Sequence, residues 1–199
     1  MRCPGLSLAV LALAAGFAGP APAQPLDILS IAGAYAQDKL IAVPPDTAPQ
    51  GQPSSAAEAW VRQETTDRLV VEPVGPGAAF VGAELTFTNH HTCSLADVMV
   101  AEAGALVLRI RDEIENRRCV LRLRITATQL VFEDEPMDGQ SGCQPLFCGA
   151  RGSLDRIAFP RASRQVVPAS PDPAAGGEGD AAAARRQAIE AWRTRQRGG

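Results

Sequence analysis

The sequence predicts an all-β protein: a small antiparallel meander barrel of seven or eight strands with a disordered and short helical C-terminal tail. Three segments, Val81–Asn89, Leu106–Arg111 and Cys119–Ala127, alternate apolar and polar side chains with a period of two. Such alternation is typical of antiparallel strands that cover a core on one side only. No helical pattern separates these segments, and closing a meander into a barrel removes its exposed edges. A two-sheet sandwich is the alternative.

Shorter segments complete the predicted set of strands. A first strand is expected around Ile31–Ile41, although Ile28–Gln37 is also compatible with a helical turn. The other short candidates are Arg68–Val74, Ser94–Glu102, Gln129–Asp134 and Asp155–Pro160. Glycine, proline and asparagine mark the turns between strands. These turn signals are Gly75-Pro76-Gly77, Asn89-His90-His91, Gly104, Glu115-Asn116 and Met137-Asp138-Gly139.

The N-terminal segment, residues 1–23, has the layout of a secretory signal peptide. Arg2 supplies the positive start, Leu6 to Phe17 form an apolar stretch, and Ala21-Pro22-Ala23 is a small-residue cleavage site. The apolar stretch is shorter than a membrane-spanning helix requires. We therefore expect cleavage near Ala23 and a periplasmic or secreted product. An uncleaved membrane anchor is the alternative.

The remaining chain divides by composition into three regions. Residues 24–57 are an N-terminal segment that ends in a Pro-rich loop at 42–57, and residues 58–167 form the β domain. Residues 168–199 are a low-complexity linker, disordered over 168–184, and a short basic helix. The formal net charge of −3 argues against nucleic acid as a partner. We expect a monomer.

The predicted helix, Asp180–Arg197, is rich in alanine and arginine. Ile189 and Trp192 lie on one side of it at a spacing of three residues. Two apolar anchors are too few to hold the helix on a membrane alone, so a solvated, partly formed helix is the preferred interpretation. The functional alternative is peripheral electrostatic contact of residues 180–197 with an anionic envelope surface.

Four cysteines remain after removal of the signal: Cys93, Cys119, Cys143 and Cys148. An even number in an oxidising compartment predicts two disulfides, and all three possible pairings stay open. A zinc site would need four reduced thiolates, which export disfavours. The cysteines are therefore interpreted as covalent staples of a small β domain.

No segment carries a recognisable catalytic constellation, so we expect no enzyme and no cofactor. His90 and His91 precede Cys93 and are weak candidates for metal ligands, since histidine nitrogens favour zinc or copper. No further ligand stands at motif spacing, and an exposed turn is the preferred interpretation. The acidic run Glu133-Asp134-Glu135 is interpreted as a solvated turn.

Four arginines are candidates for an anion-binding or partner-binding patch: Arg109, Arg111, Arg122 and Arg124. Strand parity places all four on the outer face, with Arg109 near Arg122 and Glu133 near Arg122. A partly compensated solvated face is the alternative, because like charges opposed across strands are unfavourable. The arginine fork suits carboxylates and phosphates.

Arg151, with Gly149 and Gly152, is interpreted as a structural loop. The two glycines provide backbone freedom near a crowded disulfide, and Arg151 reaches carbonyls or carboxylates of loop 136–149.

Five motifs in order carry a resemblance to a known family. They are Gly33-Ala34-Tyr35, Leu69–Pro73, Asn89–Cys93, Cys119-Val120-Leu121 and Cys143–Gly152, the last with the pattern Cys-x4-Cys-Gly-Ala-Arg-Gly. The chain resembles a family of small uncharacterised exported proteobacterial domains, sometimes found beside helical domains of the lysozyme-inhibitor type. The resemblance implies a barrel of the lipocalin or lysozyme-inhibitor kind. In this chain the Ala/Arg-rich segment stands where such relatives carry the helical domain.

These observations favour a non-enzymatic periplasmic binding module. The resemblance suggests an inhibitor of a cell-wall hydrolase. The alternatives are a small-ligand carrier that uses the barrel interior and a protein that binds the anionic envelope, through lipid A or peptidoglycan. The partner, a protein or an envelope glycan or anion, is not identified by the sequence.

Overall fold

The computed structural model of the protein describes residues 26–44, 60–112, 117–137, 140–149, 151–166 and 180–197. The predicted signal peptide at 1–23 lies outside the described residues. So do most of the Pro-rich loop, the linker up to residue 179 and the predicted Glu115-Asn116 turn.

Nearly all regular structure between residues 26 and 166 is β-strand. The strands in chain order are β1 (Gly33–Val43), β2 (Val61–Gly75), β3 (Ala78–Thr86), β4 (Thr92–Glu102), β5 (Ala105–Asp112), β6 (Arg117–Ile125), β7 (Gln129–Asp134), β8 (Pro136–Met137), β9 (Gln140–Ser141) and β10 (Ala158–Pro160). The α-helices are α1 (Gln144–Phe147) and α2 (Asp180–Arg197), and 3-10 turns lie at Ile28–Ser30, Thr88–His90 and Arg161–Ser163.

Eight of these strands form one antiparallel sheet in the order β1-β2-β3-β4-β5-β6-β7-β10, which curls into a nearly closed barrel. The predicted all-β meander is therefore confirmed. β1 pairs with β2 along its whole length, from Gly33 opposite Val71 to Val43 opposite Val61. This pairing places residues 33–43 in the same sheet as the strands that follow residue 60.

Two strand limits differ from the sequence prediction. β2 begins at Val61 rather than at Arg68, because its polar first half is held as a strand by pairing with β1. At the other end, only Ala158–Pro160 of the predicted strand Asp155–Pro160 is extended. Asp155 and Arg156 form a turn in which Arg156 has φ 61°.

The barrel closes where β1 meets the chain that follows β10. The amide of Ala34 donates to the carbonyl of Gln165 at 2.9 Å, and the amide of Gln165 donates back at 2.8 Å. The guanidinium of Arg164 reinforces this seam by donating to three carbonyl oxygens before β1. Its acceptors are Ala32 (2.8 Å), Ser30 (2.8 Å) and Leu29 (3.2 Å).

Arg164→Ala is expected to lower the free energy of unfolding by about 2 kcal/mol, because charge-assisted hydrogen bonds are lost and carbonyls are left unpaired. Urea denaturation followed by circular dichroism measures the change, with the exposed Arg193→Ala on α2 as the matched control. A loss no larger than that of the control contradicts the assigned role in closing the barrel.

The inside of the barrel is filled by large apolar side chains. The fully buried ones include Leu69, Leu85, Leu106, Leu121, Leu123, Leu130, Phe132, Leu154 and Phe159. Asp67 is also buried, but it receives Lys39 Nζ at 2.5 Å and the Thr86 amide at 3.0 Å. Pairing of this kind is what a buried carboxylate requires.

Two disulfides tie the segment around α1 to one end of the barrel. Cys93 of β4 bonds to Cys148, and Cys119 of β6 bonds to Cys143. One of the three pairings left open by the sequence is thereby selected. The disulfides indicate an oxidising, extracytoplasmic environment. Within the described ranges, no helix is both long and apolar enough to cross a membrane.

Candidate functional site

Strand β3 is covered on both of its faces, unlike the half-solvated strand that alternation predicts. Val81, Ala83 and Leu85 belong to the barrel core. On the opposite, outer face, Ala78 and Phe80 are only 1% and 5% exposed. A large aromatic side chain buried on the outside of a barrel requires a cover. Helix α2 provides it.

Helix α2 docks on the outer face of the sheet through its C-terminal half. Ala188 and Ile189 pack against Ala78, Phe80 and Val98, and Val74 and Trp192 border this cluster. The Trp192 ring lies over Gly75, where a Cβ atom would approach the ring to 2.9 Å. The bounds of α2 agree with the sequence prediction. The predicted solvated state of the helix is wrong, because the outer face of β3 and β4 offers an apolar surface on which the helix packs.

Charged pairs hold the helix on both sides of this apolar contact. Arg185 binds both carboxylate oxygens of Glu72, with Nε 2.6 Å from Oε2, and the two side chains are only 18% and 23% exposed. Arg195 lies 3.8 Å from Asp97. Arg185 therefore faces the barrel, whereas Arg195 is 60% exposed beside Asp97.

Asp97 lies on β4 beside the docked helix. Burial raises the pKa of its carboxyl, and the Val98 amide and Arg195 partly oppose this shift. A raised pKa in the folded state means that the associated stability is present at low pH and is lost as the pH rises through that pKa. The carboxylate of Asp97 is thus a mildly unfavourable feature of the α2 contact at neutral pH.

The N-terminal half of α2 leaves a groove above the sheet. This half carries alanines in place of large apolar anchors, so a space of about 500 Å³ remains between the helix and β2, β3 and β4. The groove's apolar lining includes Val70, Phe80, Gly82, Ala96, Ala181, Ala182 and Ala184. Its polar lining is Arg68, Glu84, Ser94, Asp180 and Arg185.

Gly82 shapes the floor of the groove. A Cβ atom at this position would lie 3.1 Å from the Phe80 ring, so glycine lets the ring lie close along the strand. A larger residue at 82 would push the ring toward α2.

The arginine face occurs where parity predicts it, but its register differs. Arg109 lies opposite Val120, and Arg122 lies opposite Val107. Arg109 and Arg122 are therefore diagonal neighbours on the outer face rather than directly opposed. The predicted placement of Glu133 opposite Arg122 is confirmed.

Three of the four arginines have a carboxylate partner. Arg109 pairs with Glu102 at 2.9 Å, Arg122 with Glu135 at 3.1 Å, and Arg124 with Glu133 at 2.5 Å. The fourth, Arg111, lies opposite Arg118 in the register. Exposed pairs of this kind contribute about 0–1 kcal/mol each. This face has the features of a compensated, solvated surface.

The histidine turn lies at the disulfide-bonded end of the barrel. His90 is exposed in a left-handed conformation with φ 54°, and His91 Nε2 lies 3.4 Å from Arg151 Nη1. Cys93 is oxidised and is not a thiolate ligand. Across the described residues, no group of three potential ligand side chains forms a metal site.

The glycines of the Cys-Gly-Ala-Arg-Gly motif both have positive φ. Gly149 has φ +62° and Gly152 has φ +92°, and a Cβ atom at 152 would lie 2.9 Å from Cys93 Sγ. Both glycines therefore adopt backbone conformations that other residues rarely adopt, and Gly152 does so in contact with the Cys93–Cys148 disulfide, as the sequence predicts. The Arg151 guanidinium contacts the His91 ring rather than the loop carbonyl or carboxylate that the sequence suggested.

Sequence reasoning missed the groove and its lining residues. The signal was present in Ala78–Ala83, an uninterrupted apolar run in which both faces lack charge. Continuous apolar strands are typically covered on both sides. The sequence prediction began the alternating strand at Val81, so it did not include Ala78 and Phe80.

The fold and the groove define a class of protein: a disulfide-stabilised antiparallel barrel with a helix docked on its outer face. Comparison with protein-family models, with curated proteins and with solved structures finds no match for this chain. The family resemblance drawn from the five motifs stays a prediction.

Proposed function

We propose that the protein is a non-catalytic binding module of the periplasm or another oxidising extracytoplasmic compartment, and that the groove beneath α2 is its binding site. One observation carries this proposal: a space of about 500 Å³, mostly apolar in lining and polar at its rim, lies on the outer surface of the barrel. Small-molecule sites typically have volumes of about 300–1,000 Å³ and this kind of lining.

The packing of the barrel favours the outer groove over an interior cavity. Fully buried leucine and phenylalanine side chains occupy the inside, from Leu69 on β2 to Phe159 on β10. The role of a small-ligand carrier is therefore kept in this proposal, but its ligand site is the space beneath α2 rather than the inside of the barrel.

The chemistry of the lining supports binding rather than catalysis. Ser94 is the hydroxyl among the groove residues, and these residues include no imidazole. Glu84 lies opposite Ser94 in the β3–β4 register, but the two side chains form no hydrogen bond. A serine nucleophile needs a general base in hydrogen-bond reach. The four cysteines of the described chain are consumed in disulfides.

The other two proposed roles have less support. Binding to an anionic envelope through the arginine face would require breaking ion pairs at Arg109, Arg122 and Arg124. Inhibition of a cell-wall hydrolase rests on the motif resemblance.

A fluorescent apolar probe tests the proposed site. We expect 1-anilinonaphthalene-8-sulfonate to bind the oxidised, folded protein saturably, with fluorescence that increases on transfer to the apolar groove. Ala184→Leu fills the groove and is expected to weaken this binding at least about tenfold, since added side-chain volume displaces the probe. The matched control is Ala183→Leu, one residue away on the exposed side of the same helix. Equal probe binding by the two variants would contradict the assignment.

A further inference from the structure

We infer that the occupant of the groove is a single alkyl chain with an anionic head group. This inference rests on the proposed function and adds the chemical class of the ligand. Three properties of the groove lead to it: the small residues of its walls, the sheet face that forms its floor and the arginine at its rim.

The walls of the groove are built from residues with little side chain. Gly82 and Ala96 lie on the sheet side, and Ala181 and Ala184 lie on the helix side. Ile189 and Trp192 hold the same helix against the sheet further along, so the gap is the space that small side chains leave beneath a docked helix. A peptide helix, about 10 Å in diameter, is too thick to lie between α2 and the sheet. A polymethylene chain is thin enough.

The floor of the groove offers no backbone partner to a peptide. This floor is a face of the sheet, and the amide and carbonyl groups of its strands point within the sheet toward neighbouring strands rather than out of the face. Strands β2 and β3 are paired on both sides at the groove, whereas β4 pairs with β5 only over Val100–Glu102. An extended peptide placed there would bury amides without hydrogen bonds, which is unfavourable. An alkyl chain has no such groups, and each methylene that it buries strengthens binding about fourfold.

The rim supplies a cation for the head group. Arg68 is exposed at the groove, and Arg185 is held by Glu72. Glu84 lies opposite Arg68 in the β2–β3 register, but among the described residues no carboxylate forms an ion pair with Arg68. Its guanidinium matches a carboxylate or a phosphate. Asp180 opens α2, where a carboxylate complements the partial positive charge of the helix N-terminus. The head group therefore lies on the Arg68 side of the rim.

Displacement of the bound fluorophore by defined alkyl compounds tests the inference. With the oxidised protein, we expect dodecanoate to displace the probe and octanoate to do so at least about tenfold more weakly, because it buries fewer methylenes. Dodecyl phosphate distinguishes a lipid phosphate from a fatty carboxylate as the source of the anion. Dodecyltrimethylammonium carries the opposite charge and is expected to bind more weakly than either.

Matched variants locate the two ends of the ligand. Ala184→Leu is expected to remove dodecanoate binding and Ala183→Leu to preserve it, and Ala96→Leu fills the groove from the sheet side should the helical variant fold poorly. Arg68→Gln is expected to weaken dodecanoate about fivefold. Arg62→Gln, on the same outer face of β2 but away from the groove, is expected to leave it unchanged.

The outcomes separate the two proposals. If the fluorophore depends on Ala184 but dodecanoate does not displace it, the alkyl occupant is wrong and the binding groove stands. If neither compound depends on Ala184 or Ala96, both proposals are wrong. Equal affinity of Arg68→Gln and wild type for dodecanoate, or tighter binding of the ammonium compound, overturns the anionic head group.

Discussion

Replacing Cys93 and Cys148 together by serine is expected to lower the free energy of unfolding by about 4 kcal/mol. This disulfide joins residues 55 positions apart, and on the chain-entropy model the stabilisation grows with the length of the closed loop. It also fastens the segment around α1 to β4 beside Gly152. Urea denaturation without reductant, followed by far-ultraviolet circular dichroism, measures the loss.

The second disulfide is the matched comparison. Cys119 and Cys143 are 24 positions apart, so the paired serine variant is expected to lose slightly less stability, about 3.5 kcal/mol. A near-zero loss in either variant would show that the pairing does not constrain the unfolded chain. Thiol titration of the denatured, unreduced protein is expected to find none of these four cysteines free.

Gly142→Ala is expected to lower the free energy of unfolding by about 3 kcal/mol, because the added methyl group would clash with the backbone in a tightly packed segment. A Cβ atom at this position would lie 1.8 Å from the carbonyl oxygen of Arg118. Neither backbone retreats easily, because the next residue along each segment, Cys143 after Gly142 and Cys119 after Arg118, belongs to the same disulfide. Thermal and urea denaturation measure the effect.

Gly104→Ala separates this clash from backbone strain. Gly104 has φ +81° but nothing within 4 Å of its Cβ position, so alanine there is expected to lose only about 1 kcal/mol, the strain of a left-handed conformation. A loss at Gly142 no larger than the loss at Gly104 would contradict the close approach between the α1 segment and β6.

The strands were predictable because the barrel core is patterned locally. Leu121 and Leu123 alternate with Arg122 and Arg124, and this alternation alone assigns each side chain to a face. The register across strands is a different property. Alternation along one strand does not fix the register, and for this reason the common face of Arg109 and Arg122 was predictable but their diagonal rather than directly opposed position was not.

The groove was not predictable from helix α2 taken by itself. The alanine and arginine content of Asp180–Arg197 predicts a helix. Its two large apolar residues, Ile189 and Trp192, are too few to predict that this helix docks on the barrel. The receiving surface is assembled from Gly75, Phe80 and Val98, which lie on different strands. The Glu72–Arg185 pair joins residues 113 positions apart, a separation at which local pattern gives no information.

Nuclear Overhauser contacts between bound dodecanoate and methyl groups of the protein test most directly where the alkyl chain lies. The methylene protons are expected to contact the methyl groups of Ala96, Ala181 and Ala184 beneath α2. Contacts to Leu121 and Leu123 inside the barrel would place the ligand in the core instead. That result would contradict the outer groove as the binding site.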